Sequence, residues 1–182
     1  MKDRILNVAA QLIKHYGIRK FTIDEIAVQL KISKKTIYRY FSGKDDIIRC
    51  YITANVASDK ESVNDTLSSN APLLEKIRAV VHSTHIYPMP TDLLNEIKQF
   101  YPEQWNQIEE LKQFKTTVLL QLGKTGVKEG LFRSNICWPV LLRMIQGMTD
   151  MFTDYDFLIN NSLKTTDAID TAFDIILRGI QV

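Results

Sequence analysis

The chain has 182 residues, of which 45% are hydrophobic and 24% charged, an ordinary balance for a soluble globular protein with a real core. No apolar run approaches the roughly 18 residues of a membrane span, and the N-terminus has no signal-peptide pattern, so we expect a cytoplasmic protein. The net charge of +2 is uneven: residues 1–49 contain 11 Lys or Arg and 5 Asp or Glu, giving +6, whereas the remainder carries −4. This asymmetry places the expected contact with a polyanion at the N-terminal end.

The first predicted element is an amphipathic helix over about residues 2–16. Its apolar positions recur at helical spacing, and Gly17 follows as the expected terminating residue. The stripe consists of Ile5, Val8, Ala9, Leu12, Ile13 and Tyr16. We expect this helix to support the two helices that follow.

Two short helices joined by a tight turn are predicted next. Thr22 and Glu25 form a T-x-x-E capping box, so a helix should begin at Thr22. Ser33 is a natural cap for a second helix over about residues 34–41, which leaves two residues for the turn. The arrangement predicts a helix-turn-helix.

The second of these helices has two contrasting faces. Ile37 and Phe41 are four residues apart and form an apolar face. The other positions are cationic or aromatic and include no acid: they are Lys34, Lys35, Tyr38 and Arg39. Cations of this kind neutralise phosphates, and an arginine or lysine also donates to the edge of guanine in the major groove. The pattern therefore predicts double-stranded DNA as a partner.

The segment from Phe21 to Lys44 resembles the DNA-binding domain of the tetracycline-repressor (TetR) family. The similarity lies in F-T-x-x-x-I-A, then I-S-K-K-T-I-Y-R-Y-F, then Lys44, and it is specific from about Ile5 to Ile48. It implies an all-helical, homodimeric, ligand-responsive transcriptional regulator, usually a repressor. With the residue pattern, it predicts DNA contacts by Thr22, Ser33, Lys34, Lys35, Thr36, Tyr38, Arg39, Tyr40 and Lys44.

The remainder of the chain is also predicted to be helical, with no strand pattern. The further helices are expected at about 42–57, 70–86, 91–100, 102–128, within 136–152, and at 167–180. The polar segment 58–70 is expected to be either a loop or the frayed end of the helix before it. The predicted fold class is therefore all-α, with about nine helices. A DNA-binding domain at 1–48 would share a helix with a ligand-binding and dimerisation domain at 49–182.

The last two predicted helices are expected to pair with those of a second copy. A dimer repeats the DNA contact on a palindromic operator. Small residues would allow close approach and apolar residues would supply buried area. The predicted contacts are Gly147, Ala172, Phe173, Ile176 and Ile180.

A pocket for a small, largely apolar effector is predicted among helices 5 to 8, because helix 5 is stopped by prolines and helix 6 is short. Methionine and aromatic side chains adapt to varied apolar ligands, although the same residues also suit an ordinary core. The candidate ligand contacts are His85, Met89, Phe100, Tyr101, Trp105, Phe114, Arg143, Met144 and Met148, with Asp150 as a further polar anchor.

Catalytic and metal sites are poorly supported. His82 and His85 are three apart on a predicted helix, but no third ligand has suitable spacing, and whether they contact a ligand or a metal stays open. Asp150, Asp154 and Asp156 lack the glycine and final glutamate of a calcium loop. We expect no enzyme activity, cofactor or metal. The alternatives to a ligand-controlled repressor are an effector-free architectural DNA-binding protein and an enzyme that has acquired a helix-turn-helix.

Overall fold

The computed structural model describes residues 1–82, 85–90, 93–152 and 155–182, without the side chains of residues 149–150, 155–156 and 165. The described part is helical throughout, with one isolated antiparallel bridge between Phe132 and Gln181. The helices are α1 Lys2–Lys20, α2 Ile23–Leu30, α3 Lys34–Tyr38, α4 Lys44–Ser68, α5 Leu73–Val81, α6 Leu93–Phe100, α7 Pro102–Lys128, α8 Trp138–Met151, α9 Tyr155–Asn160 and α10 Thr165–Ile180. The predicted all-α fold is confirmed.

Helix α4 is longer than predicted. Of the two expectations for residues 58–70, the loop is wrong for most of the segment, because the helix continues to Ser68. Its inward positions follow helical spacing but include polar side chains, since Asn55 and Asp59 are as buried as Val63. A polar composition therefore concealed a helical face that is packed inside the protein.

Other helices also differ from the prediction. Helix α5 ends at Val81 rather than near residue 86, and His82 already has extended backbone. The six-residue α9 has no predicted counterpart, because a segment of that length spans fewer than two helical turns. The predicted start of the sixth helix at Thr91 lies outside the described residues.

The chain forms two compact units. Unit 1 comprises Met1–Asp65 and Ser83–Lys112. Its core contains Ile5, Ile26 and Ile37, none of which exposes any measurable surface. The functional division predicted at residue 48 stays a prediction.

Unit 2 comprises Thr66–His82 and Gln113–Val182. Two glycines of α7 allow large rings to pack against its backbone. A Cβ atom on Gly123 would lie 2.4 Å from the Trp138 ring, and one on Gly126 would lie 2.3 Å from the Phe132 ring. A cavity of about 20 Å³ remains beside them, which is space for one water molecule.

Among the described residues, none of the helices combines the length and the apolar character that a bilayer crossing requires.

Candidate nucleic-acid interface

The start of α2 and the turn after it are fixed by local hydrogen bonds. The Glu25 N–H donates to Thr22 Oγ1 at 3.3 Å, and the Thr22 N–H donates to the Glu25 carboxylate at 2.7 Å. Lys31 closes the helix in the left-handed conformation, with φ 53° and ψ 45°. The predicted capping box and turn are confirmed.

Helix α3 begins at the predicted cap, where the Thr36 N–H donates to Ser33 Oγ at 3.2 Å. The regular helix ends at Tyr38, three residues before the predicted end, and the N–H groups of Tyr40 and Phe41 both donate to the Ile37 carbonyl, at 2.9 and 3.1 Å, which continues the turn. Ile37 is fully buried and Phe41 is 2% exposed, so the predicted apolar face packs into the core. Burial on one side fixes which side chains point outward.

The outward side of this segment is cationic and aromatic. Thr36 is half-buried, and Tyr38 is 53% exposed. The other predicted DNA contacts of the segment are exposed as well: Ser33, Lys34, Lys35, Arg39 and Tyr40. These side chains are therefore available on one short stretch of backbone, which is the geometry that contact with a groove and its flanking phosphates requires.

Lys34 has an acidic neighbour on α2. Its Nζ lies 2.6 Å from Oδ1 of Asp24, and both side chains are largely exposed. The hydrogen bond from the Lys34 ammonium to Asp24, together with charge attraction, raises the pKa of Lys34. Sequence reasoning missed this pair because the two residues lie on different helices; the only available indication was an acid within a basic stretch.

Lys44 is held at the first position of α4. Its Nζ donates to the Arg19 carbonyl at 2.7 Å and lies 4.6 Å from the centroid of the Phe21 ring. Partial burial lowers the pKa of Lys44. An ammonium has three donors, so this hydrogen bond leaves two that could meet a phosphate.

Helix α6 contacts the segment that carries the Lys44 acceptor. Gly17 interrupts α1 with φ 78°, and the following Ile18 N–H donates to the Glu96 carboxylate at 3.3 Å. The Arg19 guanidinium lies 5.0 Å from the Phe100 ring centroid. Sequence reasoning missed Glu96, whose partner is 78 residues away.

Tyr101 and Tyr51 tie further segments of unit 1 to α4. The Tyr101 hydroxyl donates to the Asp45 carboxylate at 2.8 Å, and the Tyr51 hydroxyl donates to the Pro88 carbonyl. Burial raises the pKa of both phenols. The Tyr87 N–H donates to Asn55 Oδ1 at 2.9 Å. Elements near the start of α4 and along it are therefore held by side chains rather than by apolar packing alone.

The candidate ligand contacts occupy varied positions. In unit 1, Met89, Tyr101 and Trp105 pack against the core, whereas Phe100 and His85 are exposed. In unit 2, the exposed candidates are Arg143 and Met144, Phe114 is half-buried, and Met148 is buried. The Asp150 side chain lies outside the described residues. A ligand role for this set stays a prediction.

One of the two histidines, His82, pairs with an acidic side chain. His82 Nε2 lies 2.7 Å from Oδ1 of Asp170, and one turn away Arg78 pairs with Asp174. Within the described residues, no group of three metal-binding side chains comes together.

The predicted dimerisation residues largely face inward within unit 2. Phe173 and Ile180 are buried at 1% and 9% exposure, and Ile176 is half-buried. Ala172 and Gly147 are also half-buried. Other apolar side chains of α8 and α10 are exposed instead: Val140 at 56%, Met144 at 53%, Met151 at 66% and Ile175 at 68%.

The family model described as "Bacterial regulatory proteins, tetR family" matches residues 5–49, which contain the whole helix-turn-helix. The helix-turn-helix of this chain therefore belongs to the TetR family of transcriptional regulators. The regulator is 25% identical over 183 residues to the Uncharacterized HTH-type transcriptional regulator YvaF of Bacillus subtilis (strain 168), covering 99% of this chain and 95% of that protein.

Another relative and one solved structure agree with this assignment. The HTH-type transcriptional repressor KstR2 of Rhodococcus jostii (strain RHA1) is 26% identical over 157 residues, covering 80% of the regulator and 74% of the repressor. The ketosteroid transcriptional regulator KstR2 of Mycobacterium tuberculosis superposes with a TM-score of 0.67 at 17% identity, covering 100% and 95% of the two chains, and it shows the same fold. These relatives are transcriptional regulators rather than enzymes.

Proposed function

We propose that this regulator is a repressor that binds a palindromic operator as a homodimer and is released by a small, largely apolar effector. The main support for the proposed DNA contact is the outward face of α3. Its cations and tyrosines are exposed above a fully buried Ile37, so the face cannot turn inward. Lys35, Tyr38 and Arg39 would enter the major groove, with Lys34 and Tyr40 beside it.

The contacts to phosphate would flank this face. Thr22, Ser33 and Thr36 carry hydroxyl groups near the starts of the two short helices, where backbone N–H groups also favour anions. Lys44 would add a cation whose position is set by the Arg19 carbonyl. Phosphate contacts set the register of the protein on DNA, and base contacts supply the sequence preference.

The dimer would use the exposed apolar side chains of α8 and α10. Val140, Met144 and Met151 are four and seven residues apart, so they follow one face of α8. Gly147 belongs to the same face and would allow close approach. Ile175 is the exposed apolar residue of α10. We infer that Phe173 and Ile180 support this surface from within rather than touching the second copy.

The effector proposal rests on the adaptable side chains of the candidate set and on the relatives. The structural neighbour from Mycobacterium tuberculosis is named a ketosteroid transcriptional regulator, and a ketosteroid is a largely apolar molecule. In the regulator, two contacts of unit 1 would transmit a movement of α6 to the residues proposed to bind DNA. These are the bond from Ile18 to Glu96 and the contact of Arg19 with Phe100.

The test is selection of duplexes from a random-sequence pool with the full-length regulator, followed by affinity measurements with and without apolar effectors. We expect the selected duplex to be a palindrome whose half-sites lie about one helical turn apart. An effector should raise the melting temperature of the regulator and weaken its binding to this duplex. A selected operator whose affinity no small molecule changes would favour the effector-free alternative. Linkage also requires the operator to weaken effector binding by the same factor.

A further inference from the structure

Asp24 introduces a negative charge into the cationic surface proposed to meet DNA. It follows Thr22 by two positions, and its carboxylate is 2.6 Å from the ammonium of Lys34 at the first position of α3. Its side chain is 61% exposed. A carboxylate therefore lies between residues proposed to contact phosphate and residues proposed to enter the groove.

The chemistry of a carboxylate in this place is selective. On DNA of arbitrary sequence, Lys34 would turn to a phosphate, and Asp24 would be left beside the negative backbone without its partner. Like charges brought together in this way discriminate against unwanted complexes. In the major groove, however, cytosine N4 offers an amino donor that a carboxylate accepts.

We propose, on the basis of the function proposed above, that Asp24 is a specificity-determining residue of this regulator. It holds Lys34 in the free protein, weakens binding to arbitrary DNA, and accepts a hydrogen bond from the exocyclic amino group of a cytosine in each operator half-site. Asp24 also stands in the first turn of α2, where a negative charge suits the helix dipole. That structural role concerns the stability of the fold and predicts no change in the preference among DNA sequences.

The test compares Asp24→Asn with Asp65→Asn as the matched control. Asp65 is also exposed and belongs to the same unit, and it lies 21 positions beyond Lys44 on α4. With a rise of about 1.5 Å per residue this is about 30 Å, several screening lengths at physiological salt. Both variants lose one negative charge, but only the first changes the proposed DNA surface.

Affinity is measured by fluorescence anisotropy for a duplex selected by the wild-type regulator and for an unrelated duplex of equal length, at several salt concentrations. For Asp24→Asn we expect about fivefold to tenfold tighter binding to the unrelated duplex, because Lys34 can turn to a phosphate without leaving a carboxylate unpartnered beside the negative backbone. Replacing the proposed C·G pair should weaken wild-type binding by about 5- to 100-fold and Asp24→Asn binding far less. Asp65→Asn should match the wild type in every comparison.

The results separate this inference from the proposed function. If the wild-type regulator selects an operator but Asp24→Asn changes both duplexes by one common factor, the carboxylate has no role in specificity and this inference is overturned. If Asp24→Asn retains the full preference at every base pair, the inference is overturned as well. If the wild-type regulator selects no sequence at all, the proposed function fails and the inference fails with it.

Discussion

The two units expose opposite chemistry on helices that each bury apolar side chains on their inner sides. In unit 1, Lys35 and Arg39 are exposed on the segment whose inner side is the buried Ile37. In unit 2, the exposed residues of α8 and α10 include Met144 and Ile175, at 53% and 68% exposure. An exposed cation is well solvated and suits a partner that binds reversibly. Several exposed apolar side chains on neighbouring helices indicate a more permanent partner.

This contrast would let one chain separate assembly from DNA recognition. The cationic surface would supply salt-sensitive, reversible affinity, and the apolar surface would hold two such surfaces together. Each of the following experiments changes one surface, or the packing beneath it, and asks whether the other responds.

The largest effect is expected from a charge on the apolar surface. Ile175→Asp should give monomers at micromolar concentration, and operator affinity should fall about 10²- to 10⁴-fold because the second half-site no longer adds to binding. Sedimentation and anisotropy measure the two effects. Ile86→Asp is the matched control, since Ile86 is 61% exposed but belongs to unit 1. A wild-type regulator that is itself monomeric at micromolar concentration would refute the proposed assembly.

Neighbouring residues of the DNA-binding segment should separate folding from recognition. Ile37→Ala removes a fully buried side chain and should lower the free energy of unfolding by about 2–5 kcal/mol. Tyr38→Ala changes a side chain that is 53% exposed, so stability should change by less than about 0.5 kcal/mol while DNA affinity falls. Denaturant unfolding and anisotropy give both values. Equal stability losses for the two variants would mean that the faces of the segment are wrongly assigned.

Alanine substitutions at two glycines of unit 2 should distinguish packing within one copy of the protein from packing between two copies. Gly126→Ala places a Cβ atom 2.3 Å from the Phe132 ring and should destabilise the protein by about 1–3 kcal/mol through overpacking. A Cβ atom on Gly147 meets nothing within 4 Å in its own chain, and alanine favours a helix, so stability of the isolated chain should rise by up to about 1 kcal/mol. A loss of dimer affinity in Gly147→Ala would therefore report contact with the second copy. Unchanged dimerisation would remove Gly147 from the interface.

The smallest effect concerns Lys44 and pH. Burial lowers its pKa, so on raising the pH it loses its charge before an ordinary lysine does. Operator affinity should therefore begin to fall as the pH rises through this lowered pKa, by a few-fold and with a salt slope smaller by about one. The same shift has the opposite sign for folding, since the neutral form is relatively favoured and stability rises over that range. Lys44→Arg should abolish the early loss of affinity, and a wild-type profile identical to that of Lys44→Arg would argue against a phosphate contact.

The DNA-binding helices were predictable because their determinants are local. The capping box spans four residues, and the next cap follows a turn whose first residue adopts a left-handed conformation. The Asp24–Lys34 pair and the bond from Ile18 to Glu96 were not predictable in the same way. Each joins residues on different helices, and the local sequence pattern does not predict which helices come into contact.

The part of the chain after the DNA-binding helices was harder to predict for a related reason. Periodicity identifies the apolar face of α10, but it does not state whether that face meets its own chain or another. Phe173 and Ile180 were therefore predicted at an interface, although they lie in the core of unit 2. The buried Asp59 concealed the true length of α4 for the same reason: burial depends on tertiary contacts, and polarity alone does not reveal it.

The assignment of the exposed side of α3 to DNA is tested by the affinity of Arg39→Ala for the selected operator, measured by anisotropy against the wild type and against an unrelated duplex. We predict that the variant loses about 5- to 150-fold in operator affinity and loses preference at one base pair of each half-site, while its melting temperature stays near that of the wild type. Undiminished operator affinity in a folded Arg39→Ala dimer would contradict the assignment of this surface to DNA.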